Sequence, residues 1–153
     1  MRIVIDTREQ LPYLFDRWPE VETTRAGIPT GDYTIEGHEH QVAIERKELG
    51  DLIGCLCSGR DRFKRELERA GDLAFFAVVV EAGMHEVYLG RYRSAINPHA
   101  ALQSILAFQV RYGIPFIWAG DRSMAEYTAY SLLEKFFRYQ TGGGGCRRVG
   151  GQV

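Results

Sequence analysis

Five charged side chains, most of them in the first third of the chain, have the types and spacing to hydrolyse a phosphodiester: Asp6, Asp32, Glu45, Lys47 and Asp51. Val42-Ala43-Ile44 reads as a strand. Strand residues two apart share a face, so Glu45 and Lys47 project together at its end while Arg46 points the other way. Asp32 opens the neighbouring strand, Tyr33-Thr34-Ile35, and a hairpin turn at Gly37-His38-Glu39-His40 brings its carboxylate close to that of Glu45. Two clustered carboxylates repel unless a cation sits between them. Hard oxygen donors in this arrangement suit Mg²⁺ or Mn²⁺, which keep several waters and take one or two carboxylates plus a phosphate. Such an ion polarises a phosphoryl oxygen and acidifies a bound water. Lys47, on the same face, can orient or activate that water, or neutralise the charge that develops on the phosphoryl group. Asp51 falls one turn into the helix that follows and can return to the site. Asp6 stands at the end of the first strand, with Arg8 and Glu9 just beyond it.

The elements that must hold these residues are legible in the hydrophobic pattern. Ile3-Val4-Ile5 is a β-branched run ending at Asp6, and Val21 to Thr24 is a second strand after a loop containing Pro12 and Pro19. Gly27, Pro29 and Gly31 mark a turn before Asp32. Leu49, Leu52, Ile53 and Leu56 recur at helical spacing, so a helix begins near Glu48 and stops at Ser58-Gly59. A second helix over about Asp61 to Ala70 turns Phe63 and Leu67 inward and Arg62, Lys64, Arg65 and Arg69 largely outward. Phe75 to Val80 is the most hydrophobic run and predicts a central strand buried on both faces. Asn97-Pro98 starts a helix that Gly113 and Pro115 close, Phe116-Ile117-Trp118 is another strand, and Asp121 caps a last helix to about Tyr139. Strands and helices alternate after residue 70, which predicts an α/β sandwich around a mixed sheet. The segment from 141 to 153 is Gly-rich, contains Arg147-Arg148, and reads as a flexible tail to a domain over residues 1–140.

The acidic pattern as a whole resembles a family signature. Gly31-Asp32, then Glu45-Arg46-Lys47, then Asp51 is similar to the G-D-x(n)-E-R-K-x(3)-D motif of the XPF-type structure-specific endonucleases. Asp6-Thr7-Arg8-Glu9 resembles that family's first motif, Asp-x-Arg-Glu, and Gly59-Arg60 with Arg62-Phe63 also looks like the family. The resemblance spans about residues 1 to 140.

It implies a restriction-endonuclease-like fold, α/β with a central mixed sheet flanked by helices. It also implies an Mg²⁺- or Mn²⁺-dependent endonuclease that cuts DNA near single-strand/double-strand junctions such as flaps and forks, in repair, recombination or replication. Asp32, Glu45, Asp51 and Asp6 become the metal-site acids, Lys47 the catalytic lysine, and Arg46 the motif arginine that contacts phosphate or organises the carboxylates. Arg8, Arg60, Arg62 and Arg65 become DNA-binding candidates. Family members commonly carry a tandem helix-hairpin-helix domain after the nuclease domain. This sequence has no room for one, so a separate DNA-binding partner or a minimal viral or mobile-element nuclease is expected. The family also dimerises through this domain. In agreement, Ala101, Leu102, Ile105, Leu106, Phe108, Val110 and Tyr112 cover about half of one helix, and Tyr130 and Phe137 widen the apolar face of the last. A helix sandwiched on two sides within one domain is the alternative. Other readings of the chain's role are a non-catalytic DNA-binding scaffold and a nicking nuclease without junction preference.

Composition sets the outer bounds. The 153 residues suit one domain, 45% hydrophobic and 25% charged. No apolar run reaches the length of a membrane span, and the N-terminus is not a signal peptide. Three cysteines are too few for a disulfide framework, so a reducing cytoplasm is expected, whether beside a nucleoid or in a host cell. The net charge of −1 conceals a partition: residues 1–51 hold 11 acids against 6 bases, and residues 52–153 hold 9 against 13. His38, His40, His99, Cys55 and Cys57 lack partners at metal-site spacing, and Gly142 to Gly145 lacks the context of a phosphate loop.

Overall fold

Six strands, β1 (Arg2–Asp6), β2 (Glu22–Ala26), β3 (Tyr33–Ile35), β4 (Val42–Lys47), β5 (Phe75–Val80) and β6 (Phe116–Trp118), make a single sheet in a computed structural model that describes residues 1–142. Their order is β2-β1-β3-β4-β5-β6. β3 runs antiparallel to both β1 and β4, and the other neighbours are parallel, so the sheet is mixed as the sequence predicts. β2, Glu-Thr-Thr-Arg-Ala, is polar on both faces and forms one edge. Arg2 fastens it to the body by ion pairs to Glu22 and Glu36.

Helices cover both faces. On one side lie α1 (Leu49–Gly54), α2 (Arg60–Ala70), α3 (Met84–Tyr88) and α4 (Pro98–Tyr112), and on the other α5 (Arg122–Thr141). β5 has no solvent face: Phe76, Val78 and Val80 pack on the α1–α4 side, Ala77 and Val79 on the α5 side. This double burial is why its sequence is a continuous apolar run rather than an alternation. The caps fall where the sequence puts them. Asn97 accepts from the Ala100 N–H, Asp121 from the Met124 N–H, and Gly113 takes the left-handed conformation, φ 64°, that ends α4.

Several elements differ from expectation. α1 stops at Gly54 rather than at Ser58-Gly59, and β2 runs from Glu22 to Ala26 rather than from Val21 to Thr24. β4 continues through Glu45, Arg46 and Lys47 instead of ending at Ile44, because each of the three pairs with a residue of β5. α3 has no periodic signature. It is a five-residue helix held by the Glu86 carboxylate, which accepts the Gly83 N–H at 2.8 Å. α5 reaches Thr141, and the rest of the expected Gly-rich tail, Arg147 and Arg148 included, lies outside the described residues. No described helix is long and apolar enough to cross a membrane.

The wide apolar faces of the two long helices have different fates. On α5, Tyr130 stacks on Trp18 at 3.9 Å, and Phe137 meets His38 edge-on at 6.1 Å. The loop before β2 and the β3–β4 hairpin thus consume that extension inside the domain. On α4, Ala101, Leu102, Ile105 and Phe108 are buried, whereas Leu106 and Val110, one turn apart, stay exposed.

Candidate active site

Three strand ends meet at one point. Because β3 is antiparallel to both neighbours, its first residues lie beside the last residues of β1 and of β4. Asp32 sits at this junction. Its carbonyl accepts the Asp6 N–H at 2.8 Å, its N–H donates to the Ile44 carbonyl at 2.9 Å, and its carboxylate accepts the Arg46 N–H at 2.8 Å. The preceding Gly31 has φ 88°, and a Cβ there would meet that of Ala43 at 2.9 Å. The Gly of the Gly-Asp pair is therefore what lets the turn approach β4 closely enough to deliver Asp32.

Glu45 and Lys47 share the cleft face of β4, and the Lys47 ammonium lies 2.8 Å from a Glu45 carboxylate oxygen. Burial pushes the Glu45 carboxyl up to about 8, and the nearby Glu66 adds to the push while Lys47 opposes it. Burial likewise pushes Asp32 up to about 8, helped by the charges of Glu45 and Glu9. Burial lowers the Lys47 pKa, but the Glu45 carboxylate outweighs it and leaves the ammonium more basic than usual. Arg46 turns to the opposite face. It chelates Glu81 at 2.6 and 3.2 Å and reaches Glu9 at 3.4 Å. Of the two roles open to the motif arginine, the geometry fits organising carboxylates.

Asp6 lines the same cleft, but its carboxylate is fully engaged. Both oxygens accept from the Arg8 side chain, at 2.8 and 3.0 Å, and the Arg8 and Ile28 N–H groups donate as well. Burial opposes ionisation, but these donors win and hold the carboxyl at about 2. Asp6 thus anchors the largely exposed Arg8 at the cleft edge. Asp51, in the first turn of α1, is exposed at the rim.

The basic candidates separate cleanly. Arg62 lines the cleft. Arg65 is exposed on α2 outside it. Arg60 is committed elsewhere: its guanidinium lies 5.0 Å from the Phe108 ring centroid and donates to Ser104 at 3.1 Å, so it joins α2 to α4. Glu66 and Arg69 also line the cleft. Arg62, Glu66 and Arg69 form one helical stripe, a spacing visible in the sequence once Phe63 and Leu67 fix the buried side. Glu81 and Tyr13, whose hydroxyl donates to Glu81 at 2.7 Å, complete the network behind Arg46. Glu81 had a signal, being a lone acid at the end of an apolar strand. Tyr13 had none.

The cleft has a volume of about 460 Å³. Its donor set fits a hard divalent cation. Asp32 and Glu45 are two neighbouring, largely desolvated carboxylates, each raised in pKa in part by a like charge beside it. Among the described residues no three His, Cys, Asp or Glu side chains close a ready-made cage. An ion such as Mg²⁺ takes few carboxylates and completes its shell with water and phosphate oxygens.

A mixed sheet with helices on both faces and an Asp–Glu–Lys constellation at its strand ends defines a restriction-endonuclease-like fold. Among solved structures, XPF from Aeropyrum pernix superposes with a TM-score of 0.71 at 21% identity, covering 93% of this chain and 68% of that one. XPF from Aeropyrum pernix in complex with DNA gives 0.64 at 22% identity, covering 93% and 66%. The chain therefore spans about two-thirds of the length of these structures. The family model of the ERCC4 domain matches residues 5–131, and the chain belongs to that family of structure-specific DNA nucleases. No curated protein sequence matches the chain.

Proposed function

We propose that the chain is an Mg²⁺- or Mn²⁺-dependent endonuclease that hydrolyses DNA phosphodiesters near single-strand/double-strand junctions. The observation that carries this reading is the pairing of Asp32 and Glu45, with Lys47 beside them, at the head of an open cleft walled by Arg8, Arg62 and Arg69. Asp32 and Glu45 would hold the ion, with Asp51 at the rim. When bound, the ion supplies Lewis-acid polarisation of the phosphoryl group and acidification of the attacking water. Lys47, whose ammonium lies 2.8 Å from Glu45, would stand beside the reacting phosphoryl group, where its charge opposes the negative charge that develops. Arg8, held by Asp6, and Arg62 and Arg69 on α2 bind backbone phosphates on either side.

The exposed Leu106 and Val110 on α4 support a homodimer. Light scattering at micromolar concentration tests it, and a monomer mass refutes it. The activity is tested with flap, fork, duplex and single-stranded DNA, each with Mg²⁺, Mn²⁺ and EDTA. Metal-dependent cutting at the junctions of flaps and forks is expected. Equal cutting of plain duplex would leave a nicking nuclease without junction preference, and cutting of none would overturn the enzyme reading in favour of a DNA-binding scaffold.

A further inference from the structure

The turn after β1 is held from the edge strand. Asp6, Thr7, Arg8 and Glu9 make it, and the Glu9 N–H closes it by donating to the Asp6 carbonyl at 3.1 Å. Arg8 is one of the two inner residues, so the backbone of the turn sets where its side chain begins. β2 lies alongside, with Arg25 paired to Ile5 and Ala26 to Asp6. From there the Arg25 guanidinium reaches onto the turn. Its Nη2 group lies 2.5 Å from the Glu9 carbonyl oxygen, 3.3 Å from that of Asp6 and 3.4 Å from that of Thr7. Three carbonyl oxygens of one turn therefore converge on a single cationic nitrogen.

Converging carbonyls repel one another and favour a positive charge among them, as at the C-terminus of a helix. Arg2, at the other end of the same two strands, takes carboxylates as partners, Glu22 and Glu36. Arg25 takes backbone instead. The start of the turn is already gripped from this side: the Thr7 N–H donates to the Ala26 carbonyl at 3.2 Å, and the Ile28 N–H to the Asp6 carboxylate at 3.0 Å. Arg25 extends the grip to the far end, at Glu9. Both side chains that the turn delivers face the site. Arg8 lines the cleft edge, and Glu9 reaches Arg46 at 3.4 Å.

We infer that Arg25 is a positioning residue that fixes the turn over residues 6–9, and with it the Arg8 guanidinium that meets a DNA phosphate. The inference deepens the nuclease reading above and rests on it for the DNA contact of Arg8. What residue 25 must supply is a cation with several N–H donors. Lys offers three on its ammonium, whereas Met keeps a long apolar stem and offers none. Because the effect on DNA passes through Arg8, it vanishes once the Arg8 charge is gone.

The test is a double-mutant cycle on the binding of a labelled DNA fork in EDTA, which holds cleavage off. It compares wild type, Arg25→Met, Arg25→Lys, Arg8→Gln and the pair Arg8→Gln/Arg25→Met, all first shown to melt cooperatively. Gln at position 8 removes the charge and leaves a donor for Asp6. Arg8→Gln should weaken binding about threefold to tenfold and lower the slope of log affinity against log salt by about 1. Arg25→Met should lose most of the same affinity and slope, and Arg25→Lys should stay within about twofold of wild type. The double variant should bind within about twofold of Arg8→Gln. If Arg25→Met does not fold, Arg25→Thr, matching the neighbouring Thr23 and Thr24, takes its place with the same expectation. Wild-type affinity of Arg25→Met beside a weakened Arg8→Gln would overturn the inference alone. So would additive losses in the double variant, which would make Arg25 a phosphate ligand in its own right. A second readout needs no DNA: amide exchange over residues 7–11 should quicken in Arg25→Met, and unchanged exchange there would also overturn the positioning role. Absence of fork binding by wild type, or full binding by Arg8→Gln, would overturn the DNA contact of Arg8 and the inference with it.

Discussion

Arg46 is chelated by Glu81, Nε to Oε1 at 2.6 Å and Nη2 to Oε2 at 3.2 Å, on the side of β4 opposite Glu45 and Lys47. Both side chains are at most 10% exposed. The Tyr13 hydroxyl and Arg122 also reach Glu81, so the pair ties β4, β5, the loop after β1 and the start of α5 together. Three consecutive residues of one motif thus divide their work by the alternation of a strand, two on the cleft and one behind it.

Removing one member of a buried, hydrogen-bonded ion pair strands the other. Arg46→Ala should therefore destabilise the protein by about 3 kcal/mol, and Glu81→Gln by somewhat less. Thermal melting of the metal-free protein checks this. If Arg46→Ala instead melted like wild type but bound DNA poorly, the arginine would be a phosphate ligand after all.

Asp32 is expected to trade stability for function. Its carboxylate is desolvated beside Glu45, and Asn at the same position keeps the shape and the acceptor for the Arg46 N–H while removing the charge. Asp32→Asn should abolish cleavage and sharply weaken Mn²⁺ binding, and yet raise the melting temperature of the metal-free protein at pH 8. Lys47→Ala should also abolish cleavage, but with a loss of stability, because it leaves the buried Glu45 unpaired. A cleaving Asp32→Asn variant would refute the site assignment.

The pH dependence of stability follows with a definite sign. Asp32 and Glu45 are both pushed up to about 8 in the folded protein. In the unfolded chain they lose their protons near pH 4, so between about pH 4 and 8 the folded state holds more protons and stability falls as pH rises. Asp6, held at about 2, acts in the opposite sense, and its contribution is lost only as pH drops below about 4. The metal-free protein should therefore melt lower at pH 8.5 than at pH 6, by about 5 °C or more, with a shallower slope in Asp32→Asn. A divalent ion should stabilise most at the alkaline end, because there it competes with fewer protons. Differential scanning fluorimetry across pH, with and without Mn²⁺, gives both slopes.

Much of this site was legible from residue types, because strand alternation and a tight hairpin are local rules. The pairing of Glu45 with Lys47, the opposite heading of Arg46 and the arrival of Asp32 beside Glu45 all follow from periods of two and one turn. What the sequence did not disclose depends on register between distant elements. That Asp6 is consumed by Arg8 and the Ile28 N–H requires the loop after β2 to fold back over the end of β1. That Glu66 joins Glu45 in lining the cleft depends on the rotation of α2 about its axis, which Phe63 and Leu67 set by burial. Tyr13 belongs to a loop whose Pro-rich sequence has no period, and its stacking on Tyr33, with ring centroids 5.1 Å apart, together with its hydrogen bond to Glu81, places it behind the site.

The arginines of the 60–69 segment provide the last discrimination, because geometry assigns chemically identical side chains to different tasks. Arg62 and Arg69 line the cleft on one stripe of α2, where an extended DNA backbone would pass. Replacing either by Ala should weaken binding of every DNA structure by a similar factor and reduce the slope of log affinity against log salt by about 1, the signature of one lost phosphate contact. The melting temperature should hardly move, since both side chains are exposed. Arg60→Ala should do the reverse. It removes a cation–π contact with Phe108 and a hydrogen bond to Ser104, so it should lower the melting temperature while leaving the salt slope intact. Fluorescence anisotropy over a range of salt concentrations, paired with melting curves of the same samples, separates the two. An unchanged salt slope in both Arg62→Ala and Arg69→Ala would move the DNA path off α2.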